Sequence, residues 1–232
     1  MSTHVTRILC AADPAGSEEA VARLAEAAAA HDAQLILIAG DLGAAGDGRA
    51  RYGKLFRTVA QRQVPSYWVP GANDAPIGTY LREAANAETV FASLRGVHGT
   101  AALTRDGHIA IAGMGGEIDD EIESARDEEQ RLRYPRWEAE YRLKILGELG
   151  ELERILLFST PPAHKGLGTP GSETVSQLIA TYRARLAVVG GPRTSETIGR
   201  TMVVAPGALS DGHYAIVDLA AKDVELRELV AA

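Results

Sequence analysis

The chain has 232 residues, of which 46% are hydrophobic and 24% charged, and its formal net charge is -7 at pH 7. No linker-like or low-complexity stretch divides it, so we expect a single domain over residues 1–232. The acidic balance argues against nucleic-acid or anionic-membrane partners, and no apolar run approaches the roughly 20 residues of a transmembrane helix. A single cysteine, Cys10, excludes an internal disulfide, and the start of the chain has no signal-peptide pattern. Together they predict a cytoplasmic protein.

Strands and helices are predicted to alternate in the first third of the chain. Apolar runs at 6–12, 34–39 and 64–69 are typical of buried strands. Helices are predicted between them and after them, from the Ser17 cap to about 31, over about 52–62, and over 77–85. The order β-α-β-α-β predicts right-handed crossovers and a parallel sheet.

The second half mixes hairpins with further helices. Residues 101–104 and 108–112 predict a β-hairpin, and the charged run at 117–133 is interpreted as a solvated helix face. An amphipathic helix is predicted over 137–149, with Trp137 and Tyr141 on a packing face or, alternatively, at a contact between copies of the chain in a homo-oligomer. Strands at 155–158 and 186–189, a helix at 172–182 and an antiparallel tail complete the chain. This order predicts two mixed sheets packed face to face, with helices outside.

Polar residues follow the predicted buried strands, at the edge where open α/β sheets keep their ligand sites. The strand ends read Asp13, Gly40-Asp41, Gly71-Ala72-Asn73-Asp74, Ser159-Thr160-Pro161-Pro162 and Gly191-Pro192-Arg193-Thr194.

The order and spacing of these strand ends resemble those of the calcineurin-like metallophosphoesterases, and most closely their small Icc-like bacterial and archaeal branch. The similarity runs from Ile8 to about Leu219. It implies a four-layer α/β/β/α sandwich. It also implies phosphoester hydrolysis by two divalent metals about 3.5–4 Å apart, which clamp a phosphate and activate a bridging water.

Carried onto this chain, the resemblance keeps two metal-binding carboxylates, Asp13 and the bridging Asp41. Asp74 falls on the acid that orients the family's catalytic histidine, and Asn73 falls on that histidine itself. A shift of one residue would instead place Asn73 in the role of a metal ligand. The family's remaining ligands fall on side chains that coordinate transition metals poorly or not at all: Ala15, Ala72, Ser159, Pro192 and Thr194.

Two carboxylates without histidines cannot assemble a two-metal site, and the general acid is also missing. We therefore expect a catalytically impaired or inactive homologue that acts by binding a small phosphorylated ligand or a protein partner. The alternative is an active phosphoesterase with a rebuilt site, in which Asp13 and Asp41 hold a single Mg²⁺ or Mn²⁺. Asp13 and Asp41 could also simply cap loops.

Three further features are candidate ligand-binding groups. Arg193 could replace a metal by pairing with Asp41 or Asp13. Asn73 and Asp74 could contact a ligand or merely form a turn. His164 and Lys165 could bind an anion at the start of the helix capped by Ser172, or lie in an exposed loop. The histidines at 98, 108 and 213 have no partner spacing and are interpreted as structural.

Overall fold

The computed structural model describes residues 4–124, 128–167 and 170–229, and these form a four-layer α/β/β/α sandwich. Two six-stranded sheets pack face to face, with helices on both outer faces. The described strands are β1 (Arg7–Ala12), β2 (Leu35–Ala39), β3 (Ser66–Val69), β4 (Leu94–Gly96), β5 (Thr100–Leu103), β6 (Ile109–Met114), β7 (Glu117–Asp119), β8 (Arg133–Pro135), β9 (Glu153–Phe158), β10 (Leu186–Val189), β11 (Thr194–Ile198), β12 (Thr201–Ala205), β13 (His213–Asp218) and β14 (Asp223–Glu228).

Both large sheets are mixed. The first has the order β14-β13-β1-β2-β3-β4, in which β1 to β4 run parallel and β13 lies antiparallel to β1. The second has the order β11-β12-β10-β9-β6-β5, with parallel pairing from β12 through β6 and antiparallel edges. The parallel registers bring the carboxyl ends of β1, β2, β3, β9 and β10 to one side of the molecule. The predicted fold class is confirmed.

The inner faces of the two sheets form a continuous apolar core. Ile8, Cys10 and Leu37 from the first sheet meet Ile111 and Leu157 from the second. Strands covered on both faces need apolar side chains at every position, which is why their sequences do not alternate. Burial also raises the pKa of the Cys10 thiol, which keeps this cysteine inert as a core residue.

Helices cover the outer faces with their apolar sides. The first sheet is covered by α1 (Glu18–Ala30), α2 (Arg49–Ala60) and α3 (Ile77–Val90), and the second by α4 (Arg136–Leu143) and α5 (Glu173–Tyr182). The predicted caps are present, because the side chains of Ser17 and Ser172 accept hydrogen bonds from the first turns of α1 and α5. Among the described residues, no helix has the length and apolar character needed to cross a bilayer.

The charged segment at 117–133 differs from the prediction. The prediction of a helix is wrong for its described residues, which form β7, the connecting turns and the start of β8, paired as a two-stranded parallel ribbon. Residues 125–127 of this segment lie outside the described part of the chain. A charged, solvent-facing ribbon and a solvated helix face have the same composition, so charge alone does not separate them.

The helix that follows is shorter than predicted and packs on a different face. After α4 the chain tightens into a 3-10 turn at Lys144–Gly147. The buried residues of α4 are Ala139 and Leu143, whereas Trp137 is 55% exposed and Tyr141 61% exposed. The prediction that these two aromatic residues form an intramolecular packing face is therefore wrong. The short strands β4 and β11 were also not predicted.

Candidate functional site

The loops after the parallel strands meet around one cleft of about 470 Å³. It lies at the carboxyl ends of β1, β2, β3 and β9, and the β7–β8 ribbon and the start of α5 form its opposite wall. The lining residues are Asp13, Asp41, Gly71, Ala72, Asn73, Gly116, Glu117, Ile118, Asp119, Asp120, Glu121, Arg131, Ser159, Thr160, Pro161, Pro170, Gly171 and Ser172.

The predicted carboxylates Asp13 and Asp41 are both in this cleft, on strained loops that are tied together. Their φ angles are 49° and 37°, and Ala15, where the resemblance expects a histidine, has φ 48°. The amide of Asp13 donates to the Gly40 carbonyl (3.2 Å), and that of Ala15 donates to the Asp41 carbonyl (2.8 Å). Non-glycine residues at positive φ are uncommon and cluster at functional sites, where the surrounding structure holds them.

Asn73 holds the Asp41 carboxylate with two hydrogen bonds. Its backbone amide donates to Oδ1 (2.8 Å) and its side-chain Nδ2 donates to Oδ2 (2.6 Å). Only glycine fits at position 71, because an added Cβ would lie 2.0 Å from Asp41 Oδ1. The turn at 71–74 therefore packs directly against Asp41. Each oxygen of the Asp41 carboxylate accepts a hydrogen bond from Asn73.

Asp74 lies beneath the cleft rather than in it. It is fully buried and accepts four hydrogen bonds, from the amides of Leu42 (3.0 Å), Gly43 (2.8 Å) and Gly71 (2.8 Å) and from the Tyr52 hydroxyl (3.1 Å). Burial raises the pKa of this carboxyl to about 7, against the amide donors, which lower it. The expectation that Asp74 contacts a ligand is corrected, because its carboxylate joins the two loops of the cleft floor and does not line the cleft.

The carboxylate of Asp13 differs from that of Asp74 in its hydrogen bonding. None of the described residues donates a hydrogen bond to it. Burial, and then the nearby charge of Asp41, raise the pKa of Asp13 to about 7. Two neighbouring carboxylates in a poorly solvated site favour a proton or a cation between them.

The opposite wall of the cleft is a ladder of acids and arginines that was not predicted. Arg131 donates to Glu117 Oε2 (3.1 Å) and to Asn73 Oδ1 (3.3 Å). Arg133 pairs with Asp119 and lies 3.7 Å from Glu117 Oε1. The high charge of the segment is visible in the sequence. Its folding over the cleft depends on the ribbon, which has no distinctive sequence pattern.

The start of α5 is already occupied by a carboxylate of the chain itself. Asp120 accepts hydrogen bonds from the Glu173 amide (2.7 Å), the Thr174 amide (3.2 Å) and the Ser172 hydroxyl (3.0 Å), and from the Thr174 hydroxyl. The expectation that His164 and Lys165 bind an anion at this helix start is therefore corrected, because the amides that would hold the anion are used. The backbone carbonyl of His164 accepts from the Leu167 amide (3.1 Å), and neither side chain lines the cleft.

The hydroxyls at the end of β9 are also engaged. Ser159 Oγ donates to the Gly116 carbonyl (2.6 Å), and Thr160 Oγ1 donates to the same oxygen (3.0 Å) while accepting from the Ile118 amide (2.8 Å). Ser159, which stands where the resemblance expects a lone histidine, therefore fastens the ribbon to the second sheet.

Arg193 does not replace a metal. Its guanidinium donates to Glu228 Oε1 (2.7 Å) on β14, and it lies outside the cleft. The expected pair with Asp41 or Asp13 is wrong, because Gly191–Thr194 leads directly into the exposed edge strand β11 and carries Arg193 away from the strand ends.

Within the described lining of the cleft there is no histidine and no cysteine. In the same part of the chain, no three side chains of the His, Cys, Asp and Glu types bring ligand atoms together in the cleft. His98, interpreted as structural, is partly buried and accepts a hydrogen bond from the Gly115 amide (3.0 Å), while desolvation and then Arg142 lower its pKa to about 4.

Comparison with known proteins identifies the family. The model of the metallophosphoesterases of the calcineurin superfamily matches residues 49–229. The crystal structure of TT1561 from Thermus thermophilus is 41% identical, with a TM-score of 0.92 over 97% of this chain and 100% of that one. A second crystal structure is 26% identical, with a TM-score of 0.87 over 97% and 99% of the two chains.

More distant structures share the fold alone. A dimetal phosphatase from Danio rerio is 10% identical, with a TM-score of 0.66 over 97% of each chain. A comparison with curated proteins gave no match. The chain belongs to the calcineurin superfamily of metallophosphoesterases, whose members generally depend on divalent metals.

Proposed function

We propose that this chain binds a small ligand in the cleft and has lost the two-metal hydrolysis of its family. The observation that carries the proposal is the lining itself. It retains Asp13 and Asp41, but its described residues offer no imidazole or thiolate to complete a pair of metal sites. Both oxygens of Asp41, the carboxylate that would bridge two ions, accept hydrogen bonds from Asn73. This donor set does not fit a dinuclear centre.

The charge of the cleft limits what it can bind. Its described lining has six carboxyl groups and one guanidinium, that of Arg131. Glu117 and Asp119 are paired with arginines, and Asp120 caps α5, so the unpaired acids are at the floor and at Glu121. A bare phosphate would meet like charge there. We infer a neutral or cationic ligand, or a phosphorylated one that arrives with its own Mg²⁺.

A second candidate is a phosphoesterase that uses one metal ion. The observation that favours it is Asp13, which has no donor among the described residues and whose pKa is raised to about 7, first by burial and then by Asp41. A single Mg²⁺ or Mn²⁺ would neutralise this pair, with water supplying the remaining ligands. Such an ion could polarise a phosphoryl oxygen, while Asn73 would orient Asp41.

Hydrolysis of an aryl phosphodiester with added Mn²⁺ separates the two candidates. The binding protein should show no turnover above that of the matched variant Asp41→Asn. Turnover that depends on Mn²⁺ and is lost in both Asp41→Asn and Asp13→Asn would favour the single-metal enzyme and contradict our proposal. Circular dichroism of the variants provides the control for folding.

A further inference from the structure

A second cluster of metal-ligating side chains lies at the opposite end of the sandwich from the cleft. His4 precedes β1, and Asp106 and His108 belong to the turn between β5 and β6. This is the end at which β1 and β6 begin, whereas the cleft lies where they finish. A six-residue strand such as β1 spans about 20 Å, so the two places are separate.

The three side chains are already close together. One ligand atom from each lies within 4.8 Å of the others. The rings of His4 and His108 have centroids 4.7 Å apart and planes tilted by 40°, so they converge without stacking. Zn²⁺–N bonds of about 2.0–2.1 Å place two ligands of a tetrahedral ion roughly 3.3 Å apart. Side-chain rotations would have to close the remaining distance, and both imidazoles are exposed at the surface.

Asp106 gives an independent indication of a cation site. Its Oδ1 accepts hydrogen bonds from the Thr104 hydroxyl (2.5 Å) and the His108 amide (3.3 Å), which fix the carboxylate within the turn. Its Oδ2 is shielded from solvent and has no hydrogen-bond partner among the described residues. A shielded carboxylate oxygen without a donor is unfavourable unless a cation approaches it.

The chemistry of the three ligands selects the class of ion. Two imidazoles and one carboxylate suit Zn²⁺, Ni²⁺ or Cu²⁺, whereas Mg²⁺ and Ca²⁺ prefer oxygen ligands alone. Three protein ligands leave a further position for water. His4 and His108 border a recess of about 340 Å³, which also contains Glu151 and would admit a hydrated ion.

We propose that His4, Asp106 and His108 bind one transition-metal ion of the zinc class. The segment before β1 belongs to the first sheet and the β5–β6 turn to the second. The bound ion therefore crosslinks the two sheets of the sandwich at the end away from the cleft. A ligand that binds only the folded chain raises its stability by mass action, so Zn²⁺ should also raise the melting temperature.

Calorimetric titration of tag-free protein with Zn²⁺ tests this proposal. We expect one ion per chain at this site, with an affinity that falls at least tenfold in each of His4→Ala, His108→Ala and Asp106→Asn. The matched control His31→Ala, whose imidazole contacts the Tyr214 hydroxyl, should stay within twofold of the parent. An ion bound in the cleft would persist in all these variants and would be counted separately.

Cu²⁺ electron paramagnetic resonance gives a readout that a merely structural role would not change. The parent should show hyperfine coupling to two nitrogens, and each single histidine variant should show coupling to one. Failure of the parent to bind Zn²⁺ would overturn the proposal. So would a loss of less than tenfold in the double variant His4→Ala/His108→Ala, which removes only exposed side chains and should fold normally.

Discussion

Asp74 joins the two loops that carry the cleft floor. Its carboxylate satisfies three buried backbone amides and the Tyr52 hydroxyl, and the amides come from loops more than 25 residues apart in the chain, at Leu42–Gly43 and Gly71. Backbone amides buried without acceptors cost more than the net value of the hydrogen bonds themselves. The residue therefore positions Asp41 and Asn73 through the backbone and does not itself line the cleft.

Replacing Asp74 by alanine should destabilise the protein by at least about 3 kcal/mol, because three buried amides lose their acceptor. The cost of leaving these amides without an acceptor exceeds the free energy gained by no longer burying a carboxyl group. Urea unfolding followed by circular dichroism measures it. The control is Asp47→Ala, since Asp47 accepts a single amide hydrogen bond, from Ala44 (2.8 Å), and should cost about 1 kcal/mol or less. Equal losses in the two variants would contradict this role for Asp74.

Asp13 should make stability depend on pH. Its folded-state pKa of about 7 lies above the ordinary 3.8, so its contribution is fully present below that ordinary value and is lost as pH rises through 7. Between pH 5 and pH 8 the loss should be on the order of 2 kcal/mol. Asp13→Asn should remove this part of the slope when unfolding is measured with a chelator present. Parallel pH profiles for the parent and the variant would show that Asp13 is not the cause.

The sequence predicts the position of a residue where a strand end fixes it, but not where the direction of the side chain decides its contacts. Asp13, Asp41 and Asn73 meet because parallel strands end at one edge. Arg193 was expected among them, but it contacts Glu228 instead, because the antiparallel pairing of β11 with β12 turns it outward. That pairing depends on the register between distant strands, which the sequence does not reveal.

At the level of elements, Asp120 links the charged ribbon to the start of α5, the helix that covers the second sheet. It follows β7 and caps α5 from a distance of more than 50 residues along the chain. Loss of a helix cap costs roughly 1–2 kcal/mol. We therefore expect Asp120→Ala to lower the free energy of unfolding by that amount and Glu121→Ala, at the exposed neighbouring position, to change it by less than about 0.5 kcal/mol.

Hydrogen exchange locates the effect of Asp120→Ala. The first-turn amides of α5, Glu173 and Thr174, should exchange faster in this variant than in the parent, while those of α1, capped by Ser17, should be unchanged. Unchanged protection at the start of α5 would mean that the helix does not depend on this cap.

Elements with strong apolar runs were predictable, and short polar ones were not. β2 is buried along its whole length, and the apolar run at 34–39 predicts it directly. β11 has mostly exposed residues, and β7 has only one buried residue, so neither has the pattern of a strand. β7 and β11 are strands because they pair with neighbouring strands, not because their residues favour β-structure. Such pairing is a tertiary interaction that local sequence propensity does not predict.

At the level of the whole molecule, the sandwich places two different polar sites at opposite ends. The cleft of about 470 Å³ lies at the end of the sandwich where the parallel strands finish, and Asn73, Asp74 and the β7–β8 ribbon keep its loops in place. The fold is that of the calcineurin superfamily of metallophosphoesterases, and Asp13 and Asp41 at the cleft have positive φ angles. In our account, the imidazoles that would hold the ions have been replaced, and of the two remaining carboxylates, that of Asp41 is occupied by hydrogen bonds from Asn73.

The most direct test of this account is anomalous diffraction from crystals of the protein soaked in Mn²⁺, which counts the ions between Asp13 and Asp41. The account predicts no pair of ions there, and Asp41 still hydrogen-bonded to Asn73. Two Mn²⁺ ions about 3.5–4 Å apart and bridged by Asp41 would contradict it.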